Sequence, residues 1–346
     1  MPIGRVEGCG DHGRAAGDRA GTPGRHAAEL RADSGFTDLR AVRFREDRHY
    51  GTDRPVGPYG RHLRYGTPCR SPAARPRWAD SGAVNERSRK RGRTGGTGDP
   101  AWSGRAGAEA FAAVEAATDW LLGYPFVFRA LARRIRGGDV LVDYGCGPGA
   151  VADRAARILG ARVVGVDTSP EMLALARAQE SAVAEFHLVE NGRATGLADG
   201  CADAVMCNHV IASLPDEQAV LGVFTEIRRL LRPGAPCVLL ATDPACTGRE
   251  YASLRIGEPG EVYGPGDELT VRLRRTDGTW QEVRNHAWPP GIYPELLEGA
   301  GFREVVQQHP TVEEAQSLAD PELLRGRDWT AERERPPLVV TTALAV

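Results

Sequence analysis

The feature that most constrains this chain is a turn with three glycines that follows a short apolar run. Residues 140–149 read VLVDYGCGPG, and the glycines are Gly145, Gly147 and Gly149. Glycine is unfavourable inside ordered structure unless the backbone must bend sharply or let another group come close. A second apolar run ends 18 residues after the last glycine, at Asp167. The pattern predicts a strand, a ligand-binding turn, a helix and a second strand that ends in a carboxylate.

Short apolar segments and helical segments alternate over the rest of the chain. Because such alternation is typical of parallel sheets with helices on both faces, the sequence predicts a Rossmann-like α/β fold. The tail 336–346 predicts a final strand that pairs with 303–310. The other predicted strands are 139–145, 162–167, 184–190, 203–210 and 236–243, and the predicted helices between them are 148–160, 169–180 and 216–232.

A helical segment precedes the first strand. The spacing of its Ala, Glu and Leu residues predicts one helix from 105 to about Leu122. The sequence Gly123-Tyr124-Pro125 then breaks that helix, and the proline can occupy the first position of a second helix over 125–135.

Residues 1–100 differ in composition from the rest of the chain. They hold twenty basic and twelve acidic residues and many glycines and prolines, without apolar periodicity. Such a segment buries too little apolar surface to offset the entropy of ordering, so we expect a disordered extension before a domain over 101–346. A basic arm can bind RNA electrostatically, but acidic residues dilute this one. A dispensable tail, or a start site assigned too far upstream, fits the composition better.

The overall composition is that of a protein from a reducing cytoplasm. The formal net charge is −2, and the seven cysteines are scattered without a C-x-x-C pair, which indicates neither a disulfide framework nor a metal site. No apolar run approaches the roughly 20 residues that cross a bilayer, and we recognise no secretory signal. We therefore expect a cytoplasmic protein with no metal and no membrane partner.

Two cofactors are consistent with the glycine turn. Gly145, Gly147 and Ala150 satisfy the looser dinucleotide fingerprint, so an NAD(P)-dependent oxidoreductase is one interpretation. S-adenosylmethionine is the other, because its cationic head favours an acidic loop and Asp143 precedes the first glycine. Asp167 suits both cofactors, since a carboxylate there can accept two hydrogen bonds from a ribose diol.

Four motifs in order favour the second interpretation. Residues 143–149 resemble motif I of the class I S-adenosylmethionine-dependent methyltransferases, and residues 164–173 resemble their second motif. Residues 230–234 resemble the late helix–turn–strand signature, and 296–302 resemble the helix end before the sixth strand. The resemblance covers about 139–346 and is nearest to small-molecule enzymes of the methyltransferase type 11 kind, including those that tailor bacterial natural products. It implies an antiparallel last strand, which counts against an oxidoreductase.

The resemblance also implies which residues bind the cofactor. The glycine turn would hold the methionine part, Asp167 the ribose, and Thr168 and Met172 would flank the adenine. Relatives place an acidic residue after the third strand to bind the adenine amino group, and here either Asn191 or a backbone group near Arg193 would make that contact. The predicted cofactor-binding residues are Asp143, Tyr144, Gly145, Gly147, Gly149, Asp167, Thr168, Met172, Asn191 and Asn208.

The acceptor is expected between the helical entry segment, the end of the fourth strand and a long insertion at about 244–293. A neutral amine or an activated carbon needs little acid–base help, whereas a hydroxyl or an indole-like carbon needs a base. His209 is the candidate for that base, because a pKa near neutrality suits the role. Tyr124 is the other predicted catalytic residue. It lies in the helical entry segment, which the resemblance implies folds over the cofactor as a lid. The insertion predicts a β-hairpin around Asp277-Gly278, which in relatives often roofs the acceptor. Its candidates for stacking on a planar acceptor are Tyr251, Tyr263, His286, Trp288 and Tyr293.

The expected function is that of an S-adenosylmethionine-dependent methyltransferase in secondary metabolism, with a small organic acceptor methylated at nitrogen, oxygen or carbon. An NAD(P)-dependent oxidoreductase and an RNA methyltransferase that uses the basic arm are the alternatives. Residues 207–210 read CNHV and lack an Asn-Pro-Pro-Tyr signature, so a nucleic-acid substrate is disfavoured. The sequence indicates no oligomeric state.

Overall fold

The computed structural model describes residues 104–346, and the predictions for residues 1–100 lie outside this range. The strands are β1 (Val140–Tyr144), β2 (Arg162–Asp167), β3 (Glu185–Leu188), β4 (Ala204–Asn208), β5 (Pro236–Thr242), β6 (Leu254–Ile256), β7 (Glu268–Arg274), β8 (Trp280–His286), β9 (Phe302–Gln308) and β10 (Leu338–Ala345). The α-helices are α1 (Gly104–Ala112), α2 (Ala117–Leu122), α3 (Tyr124–Ala132), α4 (Ala150–Leu159), α5 (Pro170–Ala178), α6 (Glu217–Leu230), α7 (Tyr293–Gly299), α8 (Val312–Ala315), α9 (Pro321–Leu324) and α10 (Thr330–Glu334). Within this part of the chain, no helix has the length and apolar character needed to cross a lipid bilayer.

Seven strands form the larger sheet, in the order β3-β2-β1-β4-β5-β10-β9. The first five pair in parallel, while β10 runs antiparallel to both of its neighbours. The predicted Rossmann-like sheet and its antiparallel last strand are therefore confirmed. The predicted pairing of the tail with the strand before it is confirmed as β10 against β9.

The pleat of the strands divides the core of this sheet into two layers, because successive side chains point to opposite faces. On β1, Leu141 packs in the layer that contains α2, α3 and α4, whereas Val142 packs in the layer that contains α6 and α7. Both side chains are fully buried. Helices thus cover both faces, and the carboxyl ends of β1, β2 and β4 meet at one edge of the sheet, where ligands bind in doubly wound folds.

The entry segment differs from its prediction. One continuous helix to Leu122 was expected, but α1 ends at Ala112 and α2 begins at Ala117. Between them, Val114 bridges Arg275 in the turn between β7 and β8, and the N–H of Glu115 donates to the carbonyl of Arg274 at 2.8 Å. The prediction of a single helix was wrong because this tertiary pairing outweighs the local helical propensity. The break at Gly123 before α3 is confirmed.

The insertion after β5 forms a separate three-stranded sheet in the order β6-β7-β8. The predicted hairpin is confirmed, with Val271 opposite Val283 in the register of β7 and β8. Sequence reasoning missed β6, since its three residues are too short for a periodic signal. Leu269, Val271 and Val283 are buried on one face of this sheet, so the hairpin packs that face inward.

Candidate functional site

A cavity of about 300 Å³ opens at the carboxyl ends of β1, β2 and β4. The glycine turn after β1 lines one side of it, and the N-terminal helices and the small sheet line the other. The cavity therefore lies where three separately predicted parts of the chain meet. Of the predicted site residues, it brings together Tyr124, Asp143, Tyr144, Gly145, Gly147, Asp167, Thr168, Met172, Asn208 and His209.

The turn itself requires glycine for two different reasons. Gly145 has φ +83°, and its N–H donates to the carbonyl of Val166 at 2.8 Å. A Cβ on Gly145 would lie 2.2 Å from Cγ2 of Val210, so no larger residue fits there. Gly147 has φ +52°, but a Cβ there would meet no atom of the described chain within 4 Å. Its bare backbone borders the cavity, which leaves room for a ligand to come close to the turn.

Asp167 ends β2 beside this turn. Its Oδ2 accepts a hydrogen bond from the N–H of Gly147 at 2.8 Å, and its Oδ1 accepts one from the N–H of Ser169 at 2.9 Å. Burial raises the pKa of this carboxyl, while the backbone hydrogen bonds oppose the shift. Ser169 in turn caps α5 by accepting a hydrogen bond from the N–H of Met172. The carboxylate is thereby fixed toward the cavity.

Asp143 is a buried carboxylate on β1 with no internal partner. It is 1% exposed, and neither of its oxygens has a hydrogen-bond partner within residues 104–346. Burial, and to a smaller extent Asp167, raises the pKa of Asp143 to about 8. Asn208 at the end of β4 is in the same situation, since its amide oxygen and nitrogen are both buried without partners among the described residues. Unpaired buried polar groups are costly, so these two side chains point to a polar, cationic ligand.

Two predicted cofactor residues lie outside the cavity lining. Gly149 caps the start of α4 with φ +87° and packs against Ala176 and Phe186. Asn191 is exposed in a two-residue turn with Gly192, in which both residues have positive φ. The bridge between Glu190 and Arg193 closes this turn, so Asn191 has the role of the first residue of an Asn-Gly turn. The wall near the end of β3 comes instead from the apolar Val189.

On the opposite side of the cavity, α2 and α3 meet the end of β4. Nε2 of His209 lies 2.8 Å from Oδ1 of Asp119. The two atoms are at the distance of an ion pair, which forms when the imidazole is protonated, but the angles are not those of a hydrogen bond. Tyr124 is buried next to Trp120, with ring centroids 4.7 Å apart in an edge-to-face arrangement. Burial, with Asp119 and Asp143 nearby, raises the pKa of Tyr124 well above its ordinary value, so its phenol stays protonated.

The small sheet forms the apolar wall of the cavity. Its contribution consists of Leu254, Val271, Leu273, Val283 and Asn285. The prediction that the insertion covers this part of the molecule is consistent with that position, but the aromatic candidates within the insertion do not line the cavity.

The positions of those aromatic candidates have local causes. His286 lies on β8 at odd spacing from Val283, so it faces away from the cavity wall, toward Glu268. Trp288 is buried and donates from Nε1 to the carbonyl of Leu214 at 2.9 Å. Tyr293 is a core residue of α7, packed edge-on against Phe224 at 6.4 Å. Tyr263 packs on Gly257 and accepts a hydrogen bond from the N–H of Glu258.

The charge of the cavity lining is one-sided. Asp119, Asp143 and Asp167 contribute carboxylates, and His209 is the one basic side chain that the described lining contains. No arginine or lysine of residues 104–346 lines the cavity, although the chain is rich in arginine. Anionic groups on a ligand would thus meet no side-chain cation of full charge here.

Sequence reasoning missed Asp119, Trp120, Asn285 and Val189 as cavity residues. Asp119 and Trp120 lie on a helix whose sequence predicts an ordinary amphipathic surface helix, and neither residue belongs to a recognisable motif. Asn285 was findable in principle, because it shares a face with Val283 once the hairpin register is known.

Several known proteins are similar to this chain. A family model described as a methyltransferase domain matches residues 142–239. The chain is 35% identical over 228 residues to N-demethylindolmycin N-methyltransferase of Streptomyces griseus, an alignment that covers 64% of this chain and 96% of that protein. It is 31% identical over 220 residues to nocamycin O-methyltransferase of Saccharothrix syringae, covering 59% of this chain and 74% of that protein. The CcbJ methyltransferase from Streptomyces caelestis superposes with a TM-score of 0.45 and 19% identity, covering 66% of this chain and 96% of that one.

The chain belongs to the class I S-adenosylmethionine-dependent methyltransferases. It is an enzyme of the kind that methylates small molecules, and S-adenosylmethionine is its cofactor.

Proposed function

We propose that this enzyme methylates a nitrogen atom of a small, largely apolar acceptor that carries no acidic group. The observation that carries the proposal is the cavity lining, in which three carboxylates and one histidine meet an apolar wall and no side chain of full positive charge. Carboxylate or phosphate groups on the acceptor would find no arginine or lysine partner in this lining, whereas a neutral or weakly basic amine needs none.

The cofactor fits the side of the cavity formed by the glycine turn. Asp143 and Asn208 would satisfy their unpaired buried atoms by contacting the charged amino-acid end of the cofactor. Asp167 would accept hydrogen bonds from the ribose, and Thr168, Met172 and Val189 line the cavity beyond it, toward the adenine. When bound, S-adenosylmethionine supplies an electrophilic methyl group attached to a sulfonium. The leaving group is the neutral thioether S-adenosylhomocysteine.

The enzyme's own residues would align the acceptor and remove its proton. Val271, Val283 and Trp120 present apolar surface to the body of the acceptor and exclude water. His209 stands beside this surface and can take the proton of a weakly basic acceptor nitrogen while that nitrogen bonds to the methyl carbon. Tyr124 keeps its proton because burial raises its pKa, so it acts as a hydrogen-bond donor and as part of the wall.

Nitrogen is favoured as the acceptor atom by the relative from Streptomyces griseus, which is named as an N-methyltransferase. The alignment covers 96% of that protein at 35% identity. The relative from Saccharothrix syringae is named as an O-methyltransferase, but it is matched over less of its length and at lower identity. An apolar wall also suits the indole-bearing molecule that the first relative's name describes.

The experiment is to incubate the full chain with S-adenosylmethionine and N-demethylindolmycin, and to follow both products by mass spectrometry. We expect a product heavier by one methylene unit, with the new methyl on nitrogen, and one equivalent of S-adenosylhomocysteine. A panel of small secondary amines, phenols and carboxylic acids of matched size tests the acceptor class. Methylation of phenols or acids in preference to amines would overturn the nitrogen proposal. Failure to bind S-adenosylhomocysteine would overturn the assignment of the cavity itself.

A further inference from the structure

Asp119 is a buried carboxylate of the cavity that the chemistry above does not use. It lies on α2, is 7% exposed, and its Oδ1 is 2.8 Å from Nε2 of His209. A carboxylate is placed in such a position only if something compensates the loss of its hydration. The imidazole supplies that compensation, and an imidazole held by a carboxylate is oriented by it.

The helix that carries Asp119 is held from behind by a buried polar network. The N–H of Thr118 donates to Oγ of Ser253 at 2.8 Å, and the hydroxyl of Thr118 donates to Oε1 of Glu332 at 3.0 Å. Thr118, Ser253 and Glu332 are all at most 1% exposed. Because these three residues belong to three distant parts of the chain, the network fixes the position of α2 and with it the carboxylate of Asp119.

His209 is held in an unusual backbone conformation on the other side of the contact. Its φ is +61°, and its N–H donates to the carbonyl of Leu240 at 2.8 Å. Positive φ is unfavourable for residues other than glycine and persists where the surroundings enforce it, often at functional sites. In this conformation the imidazole lines the cavity, and Nε2 is the ring nitrogen that faces the carboxylate of Asp119.

We propose that Asp119 is a positioning residue for proton removal by His209, an inference that rests on the proposed function. Across this 2.8 Å contact the carboxylate of Asp119 favours the tautomer with the proton on Nε2, and a small rotation of the ring makes the contact a hydrogen bond. The lone pair of Nδ1 is then available to the acceptor. In the reaction, the acceptor nitrogen forms the new bond to the methyl carbon, the carbon–sulfur bond breaks, and its electron pair stays on sulfur. As the new bond forms, the proton of the acceptor nitrogen passes to Nδ1, and the carboxylate stabilises the imidazolium that results.

Kinetics of Asp119→Asn, His209→Ala and the double variant test this arrangement, with N-demethylindolmycin as the acceptor. We expect Asp119→Asn to lower kcat by about tenfold to a hundredfold, with KM for both substrates within about threefold of wild type. The double variant should be no slower than His209→Ala, because Asp119 acts through that histidine. Glu109→Gln makes the same carboxylate-to-amide change on α1, in a surface pair with Arg105, and should leave kcat unchanged. Multiplicative losses in the double variant would overturn the proposal.

A second measurement needs no acceptor and separates this inference from the proposed function. Long-range proton–nitrogen NMR spectra of the protein bound to S-adenosylhomocysteine report the tautomer of His209, whose signals are assigned by their loss in His209→Ala. We expect the Nε2-protonated tautomer in the wild type and a change of tautomer in Asp119→Asn. A wild type with protonated Nδ1 would sink the inference even if methylation of amines is observed. The expected tautomer without any methylated amine would instead refute the proposed acceptor class.

Discussion

The backbone N–H of Gly147 donates a hydrogen bond of 2.8 Å to Oδ2 of Asp167 and so links the turn after β1 to the end of β2. The carboxylate that we assign to the ribose is thus also part of the support of the glycine turn. Removal of the side chain acts on both halves of the cofactor site at once.

Asp167→Ala should therefore lower the affinity for S-adenosylhomocysteine by about tenfold to a hundredfold, since hydrogen bonds to a charged group are lost. Isothermal titration calorimetry measures the change. Asp199→Ala removes a carboxylate that is 72% exposed and should leave the affinity unaltered. An Asp167→Ala protein that folds and binds with wild-type affinity would contradict the ribose assignment.

Asp143 makes the ligand-free protein sensitive to pH. Because its pKa is raised from 3.8 to about 8, the folded state binds a proton that the unfolded state has lost between these values. The contribution of this group to the free energy of unfolding is therefore largest below about pH 4 and decreases as the pH rises toward 8. Thermal unfolding should show a lower Tm at about pH 8 than at about pH 5, with a smaller difference for Asp143→Asn. An equal pH dependence in the variant would show that another group is responsible.

Ligand binding should report on the same carboxylate. A cationic ligand group next to Asp143 favours its ionised form, so binding near neutral pH should release a proton. Calorimetric titrations of S-adenosylhomocysteine in two buffers with different ionisation enthalpies detect that proton. We expect the release in the wild type and its loss in Asp143→Asn. Release that is undiminished in the variant would assign the proton to a different residue.

Gly145→Ala and Gly147→Ala form a matched pair with different expected effects. The Gly145 variant places a Cβ 2.2 Å from Val210 at φ +83°, so it should destabilise the fold by at least about 1–3 kcal/mol in urea unfolding. The Gly147 variant, with φ +52° and no described atom near its Cβ, should lose less stability but should bind S-adenosylhomocysteine more weakly. If both variants lose only stability, Gly147 does not border the bound cofactor.

The network behind α2 is testable by a change that preserves shape. Thr118→Val keeps the volume of the side chain but removes the hydroxyl between Ser253 and Glu332, which leaves buried partners unsatisfied. We expect a loss of about 1–3 kcal/mol in the free energy of unfolding. Thr225→Val is the control, because that hydroxyl bonds only within an exposed turn of α6 and its loss should be nearly neutral. Equal, small effects in both variants would mean that the network does not anchor the helix.

The sheet and the cofactor side of the site could be predicted because their signals are local. Apolar runs of strand length, glycines at alternate positions and a carboxylate at a strand end follow one another within 30 residues. The sequence alone therefore predicts that Asp143, the glycine turn and Asp167 lie together, and all of them line the cavity except Gly149. The position of each of these residues depends on the backbone conformation of the strand end or turn that contains it, and residues close by in the sequence determine that conformation.

The acceptor side could not be predicted to the same extent, because its contacts join distant parts of the chain. Asp119 meets His209 only after α2 and β4 have come together, and nothing near Asp119 in the sequence marks that meeting. Trp288 and Tyr293 read as exposed aromatics of a binding loop, yet they fill the core beside α6. The outward position of His286 could have been predicted from the alternation of side chains along β8. Val283 faces inward, and His286 lies three residues further on, so it faces the other way.

Within residues 104–346, the small sheet β6-β7-β8 shares no strand pairing with the seven-stranded sheet. Substitutions at Val271, Val283 or Asn285 can reshape one wall without shifting the backbone register that supports the methyl donor. Such a division lets a lineage of enzymes acquire new substrates by small steps while each intermediate form keeps its catalytic chemistry. The strands β7 and β8 are therefore the region to randomise when an enzyme with a new product is wanted.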